Sequence, residues 1–206
     1  MLLAILGALV AWLIRVRPWT GNWPMWLAAA GWLAFNFYWS AAAKNSAPAK
    51  TIESAESRRV HQYLLIGALA LVFFSLPGLR YRFLPDRPIV AVAGLALQAA
   101  CGFLGVWARR HLAEQWSGAI AIKVEHRLIR TGPYRLLRHP MYTAWLGMYI
   151  GPAIVSGEVH ALIGAAMVVF AYMRKIRLEE KALLEAMGSE YAAYRRETWA
   201  LIPWVL

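Results

Sequence analysis

Apolar segments separated by short polar connections are the main pattern along this chain. The clearest segments, such as Pro24–Ala43 and Pro88–Ala108, contain no Asp, Glu, Lys or Arg. A helix needs about 20 predominantly apolar residues to cross a bilayer, and several segments reach that length. The pattern predicts five or six transmembrane helices, at about 1–14, 24–43, 61–79, 89–108, 141–157 and 159–173.

These segments predict an all-α fold, a polytopic integral membrane helical bundle. The last segment runs directly into a polar stretch rich in helix-forming residues, so its helix is expected to continue beyond the bilayer. We therefore expect a cytoplasmic C-terminal helical segment. One integrated membrane domain is predicted, with N-terminal transmembrane helices in 1–110 and the last transmembrane helices in 111–206.

Composition narrows the class of protein. Of the 206 residues, 60% are hydrophobic and 16% are charged, whereas a soluble domain carries about 25% charged residues. The net charge is +11, but the basic residues lie between apolar segments instead of on a soluble module. We therefore expect the lipid bilayer, and not nucleic acid, as the main partner. Neither Cys101, the single cysteine, nor any motif predicts a metal site.

The distribution of Lys and Arg predicts the orientation. Of the 22 basic residues, 17 lie in 44–60, 109–140 and 174–206, which alternate with the other connections. Basic residues are enriched in cytoplasmic loops. The sequence therefore predicts a multi-pass protein with both termini and the long connection 109–140 in the cytoplasm.

The stretch 126–145 offers the first candidate chemistry. Gly132 and Pro133 mark a turn, and Pro140 is suited to the first turn of the next helix because its missing N–H would have no helical partner there. Arg138 and His139 then lie at the positive end of that helix, where a carboxylate or phosphate can bind. The alternative is that both residues anchor the helix among lipid headgroups.

A second candidate follows the last apolar segment. Lys175 and Glu179 are four residues apart and share a helix face, while Glu180 lies about 100° away. A carboxylate on that face can bind hydroxyls or a cation. An ordinary surface salt bridge is the alternative. Because the ionisable residues concentrate at one predicted membrane face, interfacial chemistry is favoured over a small transporter or scaffold, which remains the non-enzymatic alternative.

Linked motifs in 126–203 resemble the isoprenylcysteine carboxyl methyltransferase family. They comprise His126 to Ile129, Gly132-Pro133-Tyr134, Arg138-His139-Pro140 with Tyr142, Glu179-Glu180, Gly188, Glu190-Tyr191, Tyr194 and Ile202-Pro203. The resemblance implies an integral membrane methyltransferase that uses S-adenosyl-L-methionine. It also implies that 111–206 is the cofactor-binding region.

The resemblance carries the cofactor motif onto particular residues of this chain. The implied cofactor-binding residues are His126, Arg127, Leu128, Ile129, Tyr134, His139, Pro140, Met141, Tyr142 and Glu179. In chemical terms, Glu179 suits ribose hydroxyls, and the rings of Tyr134 or Tyr142 suit a sulfonium. No catalytic residue is assigned, because in-line methyl transfer chiefly requires alignment and water exclusion.

The acceptor is predicted from the basic residues around this motif. The family pattern has a substrate-binding Arg where this chain has Lys175, so the predicted acceptor-binding residues are Lys175, Arg174, Arg177 and Arg138. A lipophilic acceptor with an anionic group follows, with a prenylcysteine-like carboxylate as the first choice. Alternatives are a thiol or phospholipid methyltransferase, or an NADPH-dependent sterol-type reductase, since such reductases carry a similar Arg-His-Pro motif.

Overall fold

The computed structural model describes residues 23–43, 50–51, 53–76, 78–113, 121–122 and 128–205. The described residues are mainly helical. Their helices are α1 (Trp23–Ala43), α2 (Ala55–Phe73), α3 (Pro88–Leu112), α4 (Pro140–Ser156), α5 (Val159–Met187) and α6 (Ser189–Glu197). Two short strands, β1 (Lys50–Thr51) and β2 (Ala121–Ile122), form an antiparallel pair, and Gly132–Arg135 forms a 3-10 turn.

The predicted helical architecture is confirmed for the described residues, apart from the two short strands. Every apolar segment from 24–43 onward overlaps a helix, although α2 ends at Phe73, six residues before the end of the predicted segment 61–79, and α5 continues past the end of the last segment to Met187. The predicted segment 1–14 lies outside the described residues. Helices α3 and α5 are each long and apolar enough to cross a membrane.

Local signals in the sequence place the helix ends. Pro88 and Pro140 begin α3 and α4, in the first-turn position where a missing N–H costs nothing. The Ser54 side chain caps α2 by accepting a hydrogen bond from the Ser57 N–H at 3.1 Å. Helix α4 ends at Ser156 and is capped by Gly157, whose φ of +63° lies in the left-handed region that favours glycine.

Helices α3 and α4 approach closely because small residues face each other between them. A Cβ added at Gly147 would lie 2.1 Å from the Cys101 Sγ, and one added at Gly151 would lie 2.6 Å from the Gly94 carbonyl oxygen. Larger side chains at either glycine would therefore push the helices apart. This close contact fixes the position of α4, whose N-terminal end carries the candidate site.

Candidate functional site

The N-terminal end of α4 is held by a later part of the chain. Residues 137 and 199 form a parallel β-bridge, with the Arg138 N–H donating to the Trp199 carbonyl at 2.8 Å. The His139 N–H donates to the Ala200 carbonyl at 3.0 Å. The Thr143 hydroxyl donates to the Leu201 carbonyl at 2.7 Å. Residues 199–201 thus fix the backbone that presents Arg138 and His139.

Arg138 forms a buried ion pair with Glu180 of α5. Its Nε donates to the Glu180 Oε1 at 2.7 Å, and each side chain is only 10% exposed. The same guanidinium donates to the backbone carbonyls of Arg195, at 3.1 Å, and Thr198. Charge-assisted bonds of this kind are strong when every partner is satisfied. Arg138 therefore ties α4 to α5 and to the segment that follows α6.

Glu180 is an ionised structural carboxylate. Its Oε1 also lies 3.3 Å from the His139 Nε2, and its Oε2 lies 3.3 Å from the Arg195 Nε. Burial alone would raise the pKa of Glu180, but hydrogen bonds and positive charge from His139 and Arg138 lower it from 4.5 to about 2. The group therefore keeps its negative charge at neutral pH.

Glu179 has a different environment although it is the adjacent residue. The Tyr142 hydroxyl donates to its Oε2 at 2.6 Å, and the His139 Nδ1 lies 3.8 Å from the same oxygen. The Glu179 side chain is 29% exposed, about three times as much as that of Glu180. Glu179 is consequently the carboxylate that is fixed in direction and still accessible to a ligand.

Aromatic rings lie beside this carboxylate. The rings of His139 and Tyr142 are stacked, with centroids 5.4 Å apart and planes inclined by 9°. Tyr172 of α5 extends the layer, with its centroid 5.1 Å from that of Tyr142. The faces of aromatic rings attract cations. The layer therefore suits a positively charged group held next to Glu179.

Three further tyrosines lie in or next to the turn before α4. The Tyr194 hydroxyl donates to the Tyr134 carbonyl at 2.6 Å, which fastens α6 to the turn. Burial raises the pKa of Tyr134 well above its usual value, and burial also raises the pKa of Tyr191. Tyr191 is 1% exposed, and its hydroxyl has no hydrogen-bond partner among the described residues. This buried hydroxyl is free to donate to a ligand.

The structure brings together part of the predicted cofactor set. His139, Pro140, Met141 and Tyr142 form the start of α4, and Glu179 faces them from α5. Tyr134 lies in the preceding turn, and Leu128 and Ile129 are half-buried in the segment before it. The predicted residues His126 and Arg127 lie outside the described residues.

The four predicted acceptor-binding residues do not converge. Arg174 donates to the Ser57 hydroxyl at 3.0 Å, and Lys175 is buried, 8% exposed, on the side of His61. Arg177 instead lines an open groove of about 420 Å³, together with Glu180, Lys181, Leu184, Glu185 and Arg195. Arg138 is engaged by Glu180. The anionic acceptor site predicted from these cations therefore has no single location in the structure.

Sequence reasoning missed Glu180 and Arg195 as parts of the site. Helix geometry does separate the two carboxylates, because Glu180 lies about 100° around the helix from Glu179 and so faces different neighbours. No local pattern indicated that Arg195 and the segment after it return to α4. Such a contact, between residues far apart in sequence, follows from the fold alone.

Comparison with known proteins finds a family whose model matches the part of the chain that contains most of these residues. The model of the isoprenylcysteine carboxyl methyltransferase (ICMT) family matches residues 93–185, a range that includes His139, Tyr142, Glu179 and Glu180. A probable protein-S-isoprenylcysteine O-methyltransferase of Oryza sativa subsp. indica is 26% identical over 147 residues, covering 70% of this chain and 77% of the rice protein.

Other relatives match a shorter part of the chain. Methanethiol S-methyltransferase 1 of Bradyrhizobium diazoefficiens is 32% identical over 72 residues, covering 34% of this chain and 24% of that protein. Protein-S-isoprenylcysteine O-methyltransferase of Dictyostelium discoideum is 26% identical over 80 residues, covering 38% of this chain and 34% of that protein. The match thus spans about a quarter to a third of the length of these two relatives.

A solved structure of a eukaryotic intramembrane Ras methyltransferase, ICMT, is also similar. It shares 20% sequence identity with this chain at a TM-score of 0.49, covering 75% of this chain and 55% of the other.

Proposed function

We propose that this chain, a member of the isoprenylcysteine carboxyl methyltransferase family through residues 93–185, is an integral membrane methyltransferase that uses S-adenosyl-L-methionine. One observation carries the proposal. The accessible carboxylate of Glu179 lies beside stacked aromatic rings and the start of α4, all held in place by buried ion pairs. This arrangement offers an oxygen acceptor, a cation-binding surface and the positive end of a helix at one place.

The donor groups fit S-adenosylmethionine. Glu179 would accept hydrogen bonds from the ribose hydroxyls, and the start of α4 at Pro140 and Met141 would face the carboxylate. The Tyr142 ring would lie against the sulfonium. The buried Tyr191 hydroxyl, which has no partner among the described residues, supplies a further donor. When bound, the cofactor supplies an electrophilic methyl group.

The remaining cofactor assignments rest on the family resemblance. Leu128 and Ile129 would contribute apolar contacts, because both are half-buried just before the turn. Tyr134 would line the site from that turn, whereas His126 and Arg127 are proposed from the motif alone. These residues would bind and orient the cofactor and exclude water, which is the main requirement of an in-line transfer.

Arg138 is better suited to positioning than to acceptor binding. Its guanidinium already contacts Glu180 and two backbone carbonyls. Together with Glu180 it holds the His139 ring, whose other nitrogen faces Glu179. We therefore propose that Arg138 and Glu180 fix the orientation of His139 and Tyr142 toward the cofactor.

The surface of the bundle supports a location in the bilayer. Helix α3 is largely unburied in the candidate membrane span, and it exposes Ile89 by 70% and Phe103 by 72%. A buried core helix of a soluble protein would not leave such side chains in water. In α5, the polar groups of His160 and Glu180 are 20 residues apart, which places them about 30 Å apart along the axis. That distance matches the thickness of the hydrocarbon core.

The acceptor would enter from the lipid side at the cytoplasmic face. Relatives are named for isoprenylcysteine and for methanethiol, so an O-methyl and an S-methyl product are the two leading candidates. The sequence favours a prenylcysteine-like carboxylate, with Lys175 as its proposed contact. The thiol is a second candidate because the predicted cations diverge, which leaves no focused binding site for an anion.

Cofactor binding tests the proposed function. In calorimetry with detergent-solubilised protein, S-adenosylmethionine should bind and NADPH should not. His139→Ala and Glu179→Ala should each weaken that binding, while Glu185→Gln, which alters an exposed carboxylate, should have no effect. Binding of NADPH instead, or unchanged affinity in both alanine variants, would reject the assignment.

Orientation requires a separate test. After replacement of Cys101, single cysteines in 44–60, 109–140 and 198–205 should be labelled only from the cytoplasmic side of sealed cells. Labelling of 109–140 from outside would place the proposed site away from cytosolic S-adenosylmethionine.

A further inference from the structure

Residues 202–205 form a turn that exposes apolar side chains, and we call it the apolar turn. The Val205 N–H donates to the Ile202 carbonyl at 3.2 Å. Trp204 is 85% exposed, Val205 is 72% exposed, and Ile202 is more than half exposed. Apolar side chains clustered on a surface mark a contact with lipid or with another protein. The position of the turn relative to the membrane helices decides between the two.

The chain approaches the apolar turn along the start of α4. The bridge between residues 137 and 199 is parallel, so residues 199–201 run in the same direction as α4. Farther along, the Thr143 hydroxyl in the first turn of α4 donates to the Leu201 carbonyl at 2.7 Å. The apolar turn, which follows Leu201 directly, therefore lies beside the first turns of α4.

The first turns of α4 lie at the polar end of the apolar run of α3. A Cβ added at Gly105 of α3 would lie 3.0 Å from the Ala144 Cβ of α4, so these two positions are level. Arg109 and Arg110 follow about one turn later and end the uncharged run of α3, a candidate membrane span. A spanning helix reaches the headgroups where its apolar run ends. The apolar turn is therefore level with the boundary between hydrocarbon and headgroups.

The surface around the apolar turn combines tryptophan with arginine. The rings of Trp199 and Trp204 lie 5.4 Å apart. Arg135 and Arg196 are exposed close to Trp199 in the fold and in the sequence, and one exposed carboxylate, that of Glu197, accompanies them. Tryptophan is enriched where hydrocarbon meets headgroups, and basic residues are attracted to anionic headgroups. This chemistry and this level both favour lipid as the partner.

We propose that the apolar turn inserts into the lipid interface and thereby holds residues 199–201 against the start of α4. The φ of Trp204 is +63°, in the left-handed region that bulky residues rarely adopt. Insertion of the indole into lipid offsets the cost of that conformation. Residues 199–201 fix the backbone that presents His139, so the lipid contact supports the candidate site. This inference rests on the membrane location given with the proposed function, and it does not require methyl transfer.

Quenching by nitroxide lipids tests the insertion. After Cys101→Ala, a fluorescent label is attached at Trp204→Cys, Leu97→Cys or Glu185→Cys, in full-length protein within bilayers of phosphatidylcholine and phosphatidylglycerol. A nitroxide near the headgroups should quench the Trp204→Cys label at least about three times as strongly as the Glu185→Cys label, because interfacial segments lie about 5–10 Å into the headgroup boundary. A nitroxide deep in the acyl chains should quench the Leu97→Cys label most, since Leu97 is exposed at the middle of the apolar run of α3.

The labels separate failure of this inference from failure of the membrane location. If the Leu97→Cys label is quenched and the Trp204→Cys label is quenched by neither nitroxide, the insertion is wrong and the membrane location stands. If the Leu97→Cys label is not quenched, both are wrong. A Trp204→Cys label that is shielded from aqueous iodide without being quenched by lipid would show that protein covers the turn, which also overturns the insertion.

Hydrogen exchange tests the support of the candidate site. The amide hydrogens of Arg138 and His139 are bonded to carbonyls of the segment before the apolar turn. In the same bilayers, Trp204→Gln should speed exchange in 137–143 about ten-fold, because that segment opens more often without its lipid contact. Trp204→Phe, which keeps an apolar ring, should retain slow exchange, and so should Glu197→Gln, which alters an exposed neighbour. Unchanged exchange in Trp204→Gln would overturn the support of the site by lipid.

Discussion

The two ends of α5 carry buried histidine and glutamate side chains, but they use them differently. At the N-terminal end, the His160 Nε2 lies 2.8 Å from the Glu158 Oε2, and its Nδ1 lies 2.5 Å from the Leu71 carbonyl oxygen. The Ser75 hydroxyl also donates to Glu158, at 3.4 Å. We call Ser75, Glu158 and His160 the closed end, because both ring nitrogens and the carboxylate have partners within the protein.

Around the C-terminal half of α5, the corresponding groups are only partly used. His139 bridges Glu179 and Glu180, and Glu179 remains accessible, while the buried Nδ1 of His61 and the hydroxyl of Tyr191 have no partner among the described residues. We call this the site end. The comparison shows that a buried histidine and carboxylate do not by themselves indicate a ligand. Polar atoms without a partner among the described residues are what the site end has in addition.

The largest expected effect comes from removing the carboxylate that holds the site end together. Glu180→Ala leaves the buried Arg138 guanidinium without its ion pair and also removes the partner of the half-exposed Arg195, so the free energy of unfolding should fall by about 3–5 kcal/mol. S-adenosylmethionine binding should be lost as well. Thermal unfolding and calorimetry measure the two effects. Glu185→Gln, a change in an exposed pair, should lower stability by less than about 0.5 kcal/mol, and equal losses in the two variants would contradict the assignment.

Low pH should lower the free energy of unfolding of the protein, because protonation of Glu180 breaks the same ion pair. The pKa of Glu180 is about 2 in the folded protein and 4.5 without these contacts. Its contribution to stability is therefore complete above about pH 5 and is lost as the pH falls from there toward 2, with a total of about 3 kcal/mol. Unfolding by denaturant at several pH values would measure this slope. Glu180→Gln should flatten it, and an unchanged slope in that variant would assign the acid sensitivity to other groups.

An intermediate effect is expected from the closed end. His160→Gln removes bonds to Glu158 and the Leu71 carbonyl in a buried position, so stability should fall by about 2 kcal/mol. Because this end is remote from the proposed cofactor, S-adenosylmethionine affinity should stay within about two-fold of the wild type. A large drop in affinity without loss of stability would show that the two ends are coupled, contrary to the comparison.

The smallest effect on stability should come from Glu179, whose accessible carboxylate is proposed to bind the cofactor. Glu179→Gln keeps an oxygen that can accept from Tyr142, so the free energy of unfolding should change by less than about 1 kcal/mol. Affinity for S-adenosylmethionine should fall roughly ten-fold, which corresponds to about 1.4 kcal/mol. Calorimetry and thermal unfolding of the same preparation test both statements. Full affinity in the variant would remove Glu179 from the cofactor site.

The helices could be predicted from the sequence because their signals are local. Segment 24–43 and α1 differ by a single residue, and Pro88 marks the start of α3. Helix α2 begins earlier than the predicted segment 61–79, because its first turns are polar and a search for apolar residues excludes them. The Ser54 cap was the missed signal.

The site could be predicted only in part, for a physical reason. Helix periodicity separates Glu179 from Glu180, but it does not say which face meets α4, since that depends on how the helices pack. The approach of His61 to Tyr172 depends in the same way on the packing of α2 against α5. Contacts of this kind join residues that are distant in sequence, so no local pattern contains them.

The parallel bridge between residues 137 and 199 can form only after residue 199 has been synthesised, so the site forms late in synthesis. Arg138 is synthesised 60 residues before its partner Thr198. At about 5–20 residues per second, the ribosome needs several seconds to make that interval. During that interval the Arg138 guanidinium lacks its contacts with the carbonyls of Arg195 and Thr198. The complete set of Arg138 contacts can therefore form only after residue 198 has been made.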